Sequence, residues 1–489
     1  MTEDAILVID EGTTSTRAML FAVEGACLAT EQRELAQHYP RPGWVEHDAE
    51  EIWASSLACA RAVVAAGGGA GRIAALGIAN QRETILFWSR RTGRALAPAI
   101  VWQDRRTAEA CARLKAAGHE EAVQAKTGLL LDPYFSASKI AWALDHWPQL
   151  REAGGDLCVG TVESWLVFKL TGGLHLSDAT NASRTALMDI AAGRWDEGLL
   201  DLWGVPASPL PEIVDCAGRL GDTLPELFGA PIPIAGLAGD QQSASIGQAC
   251  LAPGDSKATY GTGAFILAHT GSEFRRSRHR LLSTIAWQLG GTRRYALEGS
   301  VFVAGSLVKW LRDDLGLLGS ADETEALARS VPDSGGVQIV PAHSGLGAPW
   351  WKPEARGAIS GLNFATGRPH IARAALEAMA HQTHDLMTAF AADGAPWGVL
   401  KIDGGMASNA WLAQDLANML ALTVERPAFV ETTALGAAML AGVGCGMFAS
   451  LEEAAAMRGA VERFEPAMAP EVREARLEGW KKAVEAVLR

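Results

Sequence analysis

Apolar residues along this chain gather in short, β-branched runs that stop abruptly at glycine and hydroxyl residues. Between those runs lie longer stretches with helical spacing. The first run, Ala5 to Asp10, halts at Glu11-Gly12, and strand character resumes from Arg17 to Val23, which predicts a hairpin with a Gly/Thr-rich tip. A second run, Ile73 to Ala79, ends in the polar cluster Asn80-Gln81-Arg82-Glu83, and strand ends that carry polar side chains commonly face a cleft. Near the middle, Ile232 to Gly239 leads into Asp240-Gln241-Gln242 and then a helical pattern from Ser243 to Ala249. Beyond Pro253-Gly254, the strand-like Ser256 to Tyr260, the tip Gly261-Thr262-Gly263 and the run Ala264 to Ala268 repeat the arrangement that opens the chain. A further strand, Val399 to Asp403, ends in Gly404-Gly405 ahead of the helical Ala410 to Leu420. Strands alternating with helices predict an α/β fold. The repeated opening predicts two domains of one architecture facing across a cleft, divided at the Pro-Gly into residues 1–252 and 253–489.

Length supports that division, because 489 residues exceed what a single core usually holds. With 48% hydrophobic and 20% charged residues, the chain has the composition of a globular protein with enough apolar material for two cores. A net charge of −13 disfavours nucleic acid and anionic membrane as partners. It leaves a phosphate ligand open, since backbone N–H groups and a bound cation hold phosphates locally. The most apolar stretch, Ala434 to Ala449, is Gly-rich and shorter than the ~20 residues that span a bilayer, so a buried, closely packed helix is expected there. Seven cysteines without a CxxC pair suggest reduced thiols, and the acidic Met1-Thr2-Glu3-Asp4 lacks the basic and apolar regions of a signal peptide. Both point to a cytoplasmic protein.

Several polar clusters sit where chemistry is commonly done. In Asp10-Glu11-Gly12-Thr13-Thr14-Ser15-Thr16-Arg17 the glycine permits a tight turn, and hydroxyl and backbone donors could cradle a phosphate, with Asp10 offering oxygen to Mg2+. A plain hairpin turn with Thr/Ser caps explains the same residues. Asp240 stands between an apolar strand and a helix, a place for an N-cap or for a carboxylate that accepts a proton from a hydroxyl. The paired glycines Gly404-Gly405 either make a simple turn or let a flat ligand approach the backbone. Trp102, between Ala99-Ile100-Val101 and Gln103-Asp104-Arg105-Arg106, fits core packing or an aromatic wall of a small pocket. No Walker A, GxGxxG or HExxH pattern occurs where it would be needed. His38, His47, His381 and His384 do not make a convincing zinc set and are expected to be solvated or capping.

In order along the chain, the segments Asp10–Arg17, Asn80–Thr84, Ile100–Gln103, Asp132–Lys139, Thr180–Thr185, Gly239–Gln242, Tyr260–Gly263 and Asp403–Gly405 resemble the FGGY carbohydrate kinases of the actin and Hsp70-like ATPase superfold. Two stretches, Tyr134 to Trp142 and Gly357 to Glu377, look like that family's signatures. The resemblance implies two similar ribonuclease H-like (actin-like ATPase) domains, the first on the polyol and phosphate side and the second on the nucleotide side. It implies Mg2+-dependent transfer of the ATP γ-phosphoryl group to a terminal hydroxyl of glycerol, with another polyol or a ketose such as erythritol or xylulose as the alternative. By resemblance Arg82, Glu83, Trp102, Tyr134, Asp240, Gln241 and Phe265 line the polyol pocket, with Arg82 and Glu83 partly neutralising one another. Thr13, Thr14, Ser15, Arg17, Thr262, Gly305, Lys309, Gly405 and Asn409 border the nucleotide. Asp10 and Asp240 are the expected catalytic and metal-binding carboxylates, with Asp240 the base. Glu11 and Lys309 stand where relatives often carry Gln; Glu11 is expected to point away from the phosphates or to modulate Mg2+ binding. A homodimer or homotetramer is expected from the family alone. The Gly-Gly-Lys-Gly loop of some relatives, used for inhibition by a sugar bisphosphate, has no counterpart near Pro225 to Pro233.

Overall fold

The computed structural model describes residues 5–352 and 354–489, so the expectation placed on Met1 to Asp4 lies outside the described residues. Two mixed sheets organise the chain. The first orders its strands Ala217–Asp222, Pro233–Gly239, Ile73–Asn80, Ala5–Glu11, Ser15–Phe21, Cys27–Glu34. The second orders Val461–Phe464, Thr423–Pro427, Val399–Asp403, Asp255–Tyr260, Ala264–Gly271, Thr292–Val301, Leu282–Leu289. Taken in this direction, both sheets open with a strand antiparallel to its neighbour, continue through three mutually parallel strands, and close with an antiparallel meander. The duplicated hairpins of the sequence therefore occupy equivalent central positions. The end of strand Ile73–Asn80 meets the second half through Arg82 and Glu298, and the end of strand Val399–Asp403 meets the first through Gln248.

Local sequence accounts for the covering helices. Helix Ala49–Ala66 starts at Asp48, whose carboxylate accepts from the Glu50 N–H, and has Glu50 and Glu51 in its first turn, where the helix dipole favours negative charge. Its residues Ile52, Ser56, Cys59, Ala60 and Val63 recur at helical spacing and pack on one face of the first sheet with Leu7, Ile9 and Leu20. The other face is covered from far along the chain by helix Thr432–Gly444, the buried apolar helix expected between Ala434 and Ala449. Glycine makes this packing possible. A Cβ on Gly77 would lie 2.4 Å from the Ala437 carbonyl oxygen, and one on Gly236 would lie 2.5 Å from the Ala441 nitrogen. The second sheet packs against helices Arg368–Ala392 and Ala410–Leu420, the latter capped by Asn409, which accepts from the Leu412 N–H.

Every cysteine is free. Two of the histidines expected to be solvated or capping are instead buried: His47 has no hydrogen-bond partner at either ring nitrogen, and His381 stacks on Trp480. Burial pushes the His47 imidazole down to about 4, so it is neutral and simply part of the packing. Among the described residues no helix is long and apolar enough to cross a membrane.

Candidate active site

The first tip is tightened by the Gly12 N–H, which donates to the Ser15 carbonyl at 3.0 Å. Behind it, Gln81 binds back to the turn through its Nε2, donating to the Gly12 carbonyl at 2.9 Å. Gln81 Oε1 accepts from Thr84, whose hydroxyl in turn accepts from the Trp102 N–H at 3.2 Å. The Trp102 indole then donates to Thr13 Oγ1 at 2.8 Å, closing a loop of hydrogen bonds that ties the Thr/Ser tip to the aromatic wall. Trp102 is half-buried and meets Tyr134 edge-on with ring centres 5.5 Å apart. From the second half Phe265 faces the same indole at 6.3 Å. These rings bring an apolar wall together from both halves.

The polar side is a buried ring of charge. Arg82, at the end of strand Ile73–Asn80, lies 3.3 Å from Asp240, 3.9 Å from Glu83, and 2.5 Å from Glu298. Its guanidinium also reaches the Tyr134 hydroxyl at 3.3 Å. Glu83 pairs instead with Arg184 at 2.6 Å, and Arg184 reaches Glu298 at 2.8 Å. Arg82 and Glu83 do partly neutralise one another, as expected, but not alone: Arg184 and Glu298 complete the ring, and each carboxylate is held by a guanidinium fork. Burial pushes the Glu298 carboxyl up, but Arg184 and then Arg82 outweigh it and hold it down at about 2. Glu83 adopts φ 61°, a left-handed conformation unusual for a residue with a side chain, which costs about 1–3 kcal/mol and turns its carboxylate into the ring.

Asp240 is the first residue of helix Asp240–Gly247, and Gly239 occupies the N-cap. The N-cap explanation for Asp240 thus falls away, and its side chain is one-third exposed toward the cleft. The strand beneath is pinned by Thr180 Oγ1, which accepts from the Gly239 N–H at 2.9 Å. Next in line, Gln241 turns its carbonyl oxygen to the ammonium of Lys257, a fully buried lysine of the second sheet, at 2.5 Å.

Asp10 is the last residue but one of strand Ala5–Glu11. Burial pushes its carboxyl up to about 7, Arg17 pulls it down, and the facing Asp240 pushes it up again. Two carboxylates that repel one another in this way suit a hard divalent cation, and Mg2+ commonly binds through one or two carboxylates with phosphates completing its shell. Among the described residues no group of three or more His, Cys, Asp or Glu could hold a metal, so such a cation would draw its other oxygens from ligand and water. Glu11 points the other way along the alternating strand: it is buried against helix Ala49–Ala66 and accepts from Ser56 at 2.6 Å. Burial raises its carboxyl to about 8, so it is protonated and neutral at neutral pH.

Facing this, the second half presents mostly backbone. The exposed tip residue Thr262 accepts at its carbonyl from the Ala304 and Ser306 N–H groups. The Gly305 N–H donates to the Gly261 carbonyl, and a Cβ on Gly305 would come within 2.6 Å of that oxygen. Gly405 borders open space. Asn409 is nearly buried, its side chain divided between capping Leu412 and bonding Thr324 at 3.1 Å. Lys309 is exposed on helix Gly305–Asp313. Thr14 and Ser15 lie at the first tip, Ser15 accepting from Gln32 at 3.0 Å. Arg17 is paired with Glu431, just before helix Thr432–Gly444.

Four participants went unassigned in the sequence: Arg184, Lys257, Glu298 and Glu431. Lys257 and Glu298 had a readable signal, because each is a charge flanked by uncharged residues within a strand-like run, and such a charge must find a partner if buried. Arg184 lay within a quoted segment without a role, and Glu431 carries no local signal.

Models of the FGGY family of carbohydrate kinases match this chain twice, the N-terminal domain over residues 5–247 and the C-terminal domain over residues 256–445. The glycerol kinase of Rhodospirillum rubrum is 55% identical over 487 residues, covering 99% of this chain and 98% of that protein. The glycerol kinase of Aromatoleum aromaticum is 55% identical over 485 residues, covering 98% of each. Among solved structures, Plasmodium falciparum glycerol kinase with ADP superimposes with a TM-score of 0.94 at 36% identity, covering 100% of this chain and 99% of that one. A xylulose kinase from Rhodospirillum rubrum, 24% identical with a TM-score of 0.86, covers 99% of this chain and 98% of its own, and shares the fold. With a duplicated α/β scaffold, a cleft lined from both halves and family matches to each half, this chain belongs to the FGGY family of carbohydrate kinases.

Proposed function

We propose that this chain is an ATP-dependent phosphotransferase that phosphorylates glycerol at a terminal hydroxyl, giving ADP and sn-glycerol 3-phosphate, with Asp240 as the base. The observation that carries this reading is the meeting of Asp240 with Arg82 at 3.3 Å, beside a wall of Trp102, Tyr134 and Phe265. A three-carbon triol has hydroxyls for the charged side and a C–H edge for the aromatic side. Full-length identity to glycerol kinases supports the choice of substrate within the family.

In this reading Arg82 and Glu83 bind and orient the polyol; burial pushes the Glu83 carboxyl up, and Arg82 and Arg184 act against that. A substrate without the matching hydroxyl would leave them unpaired, at about 1–3 kcal/mol for each lost partner. Asp240, exposed toward the cleft, accepts the proton of the attacking hydroxyl as its oxygen approaches the terminal phosphorus. Thr13, Thr14, Ser15 and Arg17 from the first half and Thr262, Gly305, Lys309, Gly405 and Asn409 from the second border the nucleotide. Mg2+, held by Asp10 and Asp240, would neutralise charge on the phosphate oxygens. Because Arg17 is paired with Glu431, nucleotide phosphates compete with that carboxylate for its guanidinium. Residues 1–252 supply the polyol and phosphate side, and residues 253–489 the nucleotide side.

The test is ADP release over a panel of glycerol, erythritol, xylulose and related polyols, with and without Mg2+. Glycerol is expected to give the highest kcat/KM, and activity is expected to need the cation. A clear preference for a four- or five-carbon substrate overturns the assignment in favour of another polyol or ketose.

A further inference from the structure

We propose that Lys257 is a positioning residue for the polyol pocket: by holding the Gln241 carbonyl oxygen, it presents the Gln241 amide NH2 as a fixed donor to a substrate oxygen. This rests on the glycerol-phosphorylating reading above.

A carboxamide can turn over and exchange its oxygen for its nitrogen with little change in shape, so its orientation is decided by its neighbours. Lys257 decides it here, because an ammonium only donates and Gln241 Oε1 lies 2.5 Å from it. The ammonium is itself held in place: it donates to Thr259 Oγ1 at 2.8 Å, the side chain has no accessible surface, and its stem is fixed within strand Asp255–Tyr260. Gln241 Nε2, by contrast, makes no hydrogen bond with any described residue, and the side chain retains some exposure. The neighbouring Asp240 is an acceptor, already receiving the Gln241 N–H at 2.7 Å and facing Arg82.

A substrate atom seated beside these two residues meets one donor and one acceptor. A hydroxyl satisfies both, accepting from Gln241 while giving its proton to Asp240. A carbonyl or ether oxygen satisfies only the donor. Lys257 thus reaches across from the second half to set the hydrogen-bonding pattern of a pocket that stands mainly on the first.

The experiment compares Lys257→Met, Gln241→Ala, the double variant and Gln241→Glu with the wild-type chain, measuring KM for glycerol and for ATP, kcat, glycerol affinity by tryptophan fluorescence, and melting temperature. Lys257→Met is expected to raise the glycerol KM about tenfold while the ATP KM stays within about twofold, as loss of one oriented hydrogen bond implies. In the Gln241→Ala background it should add less than about twofold, since the residue it acts through is gone. Gln241→Glu keeps Lys257 partnered but replaces the donor by an acceptor, and is expected to weaken glycerol at least as much as Gln241→Ala. An unchanged glycerol KM in Lys257→Met, equal rises in both KM values, or full additivity with Gln241→Ala overturns the proposal. If Lys257→Met does not fold, wild-type glycerol affinity in Gln241→Glu overturns it instead. Should the wild-type chain prefer another polyol, the functional reading fails on its own, and the same variants are measured with that polyol.

Discussion

The two halves of the molecule share a sheet order and a hairpin tip but meet the cleft with opposite chemistry. At the end of the strand beside its hairpin, the first half places Asn80-Gln81-Arg82-Glu83; at the equivalent place the second half has Gly404-Gly405. One scaffold therefore supports two strategies. In the first half the strand end carries side chains braced by a buried ring of countercharges. In the second half the strand end is stripped to backbone, which suits the nucleotide side proposed there. The exceptions matter: Glu298 and Lys257 belong to the second half yet serve the first, so the division of labour crosses the cleft.

The largest effect expected from probing this contrast is at the base. Asp240→Asn should lower kcat at least ~100-fold with the melting temperature little changed, and near-normal turnover would remove it from the chemistry. Glu298→Gln comes next. It takes one negative charge from between Arg82 and Arg184, and is expected to raise the glycerol KM by roughly thirtyfold and lower the melting temperature, with ATP KM little affected. If ATP suffered equally, the ring would be serving the fold at large. Gly305→Ala tests the backbone strategy. Its Cβ would crowd the Gly261 carbonyl, so the ATP KM is expected to rise about tenfold while the glycerol KM holds.

The smallest effect concerns Glu11 and is one of stability. Burial raises its carboxyl from 4.5 to about 8, so the folded chain keeps a proton that the unfolded chain releases above pH 4.5. Stability is lost as pH climbs from about 4.5 to 8. Glu11→Gln removes that loss, and its melting temperature should exceed the wild type's at pH 8 and converge with it near pH 4. A parallel pH profile for the two proteins would mean that Glu11 is ionised in the folded state.

Much of this layout was written locally. The hairpins at Asp10 and Thr262, the helix at Ala434 and the polar strand end at Arg82 follow from alternation, glycine placement and apolar run length, which depend on neighbours a few residues apart. The charge ring did not follow. Arg82 and Glu298 are separated by 216 positions, and nothing near Glu298 tells which cation it meets. The local pairing of Arg82 with Glu83 is present but is only part of the ring, because the shorter contacts go to Glu298 and Arg184, far away in sequence. Glu11 shows the same limit: its charge is written in the sequence, but its neutrality comes from the helix packed over it.

One more consequence lies in the helix that begins at Asp240. Where it crosses helix Thr432–Gly444, a Cβ on Gly436 would lie 1.8 Å from the Ser243 carbonyl oxygen, and one on Gly247 would lie 2.0 Å from that of Thr432. Main chain rests directly on main chain, with no rotatable group between. Asp240 is thereby gauged against a hard stop, and a single methyl at either glycine would act as a wedge, moving its carboxylate without touching Arg82 or the aromatic wall.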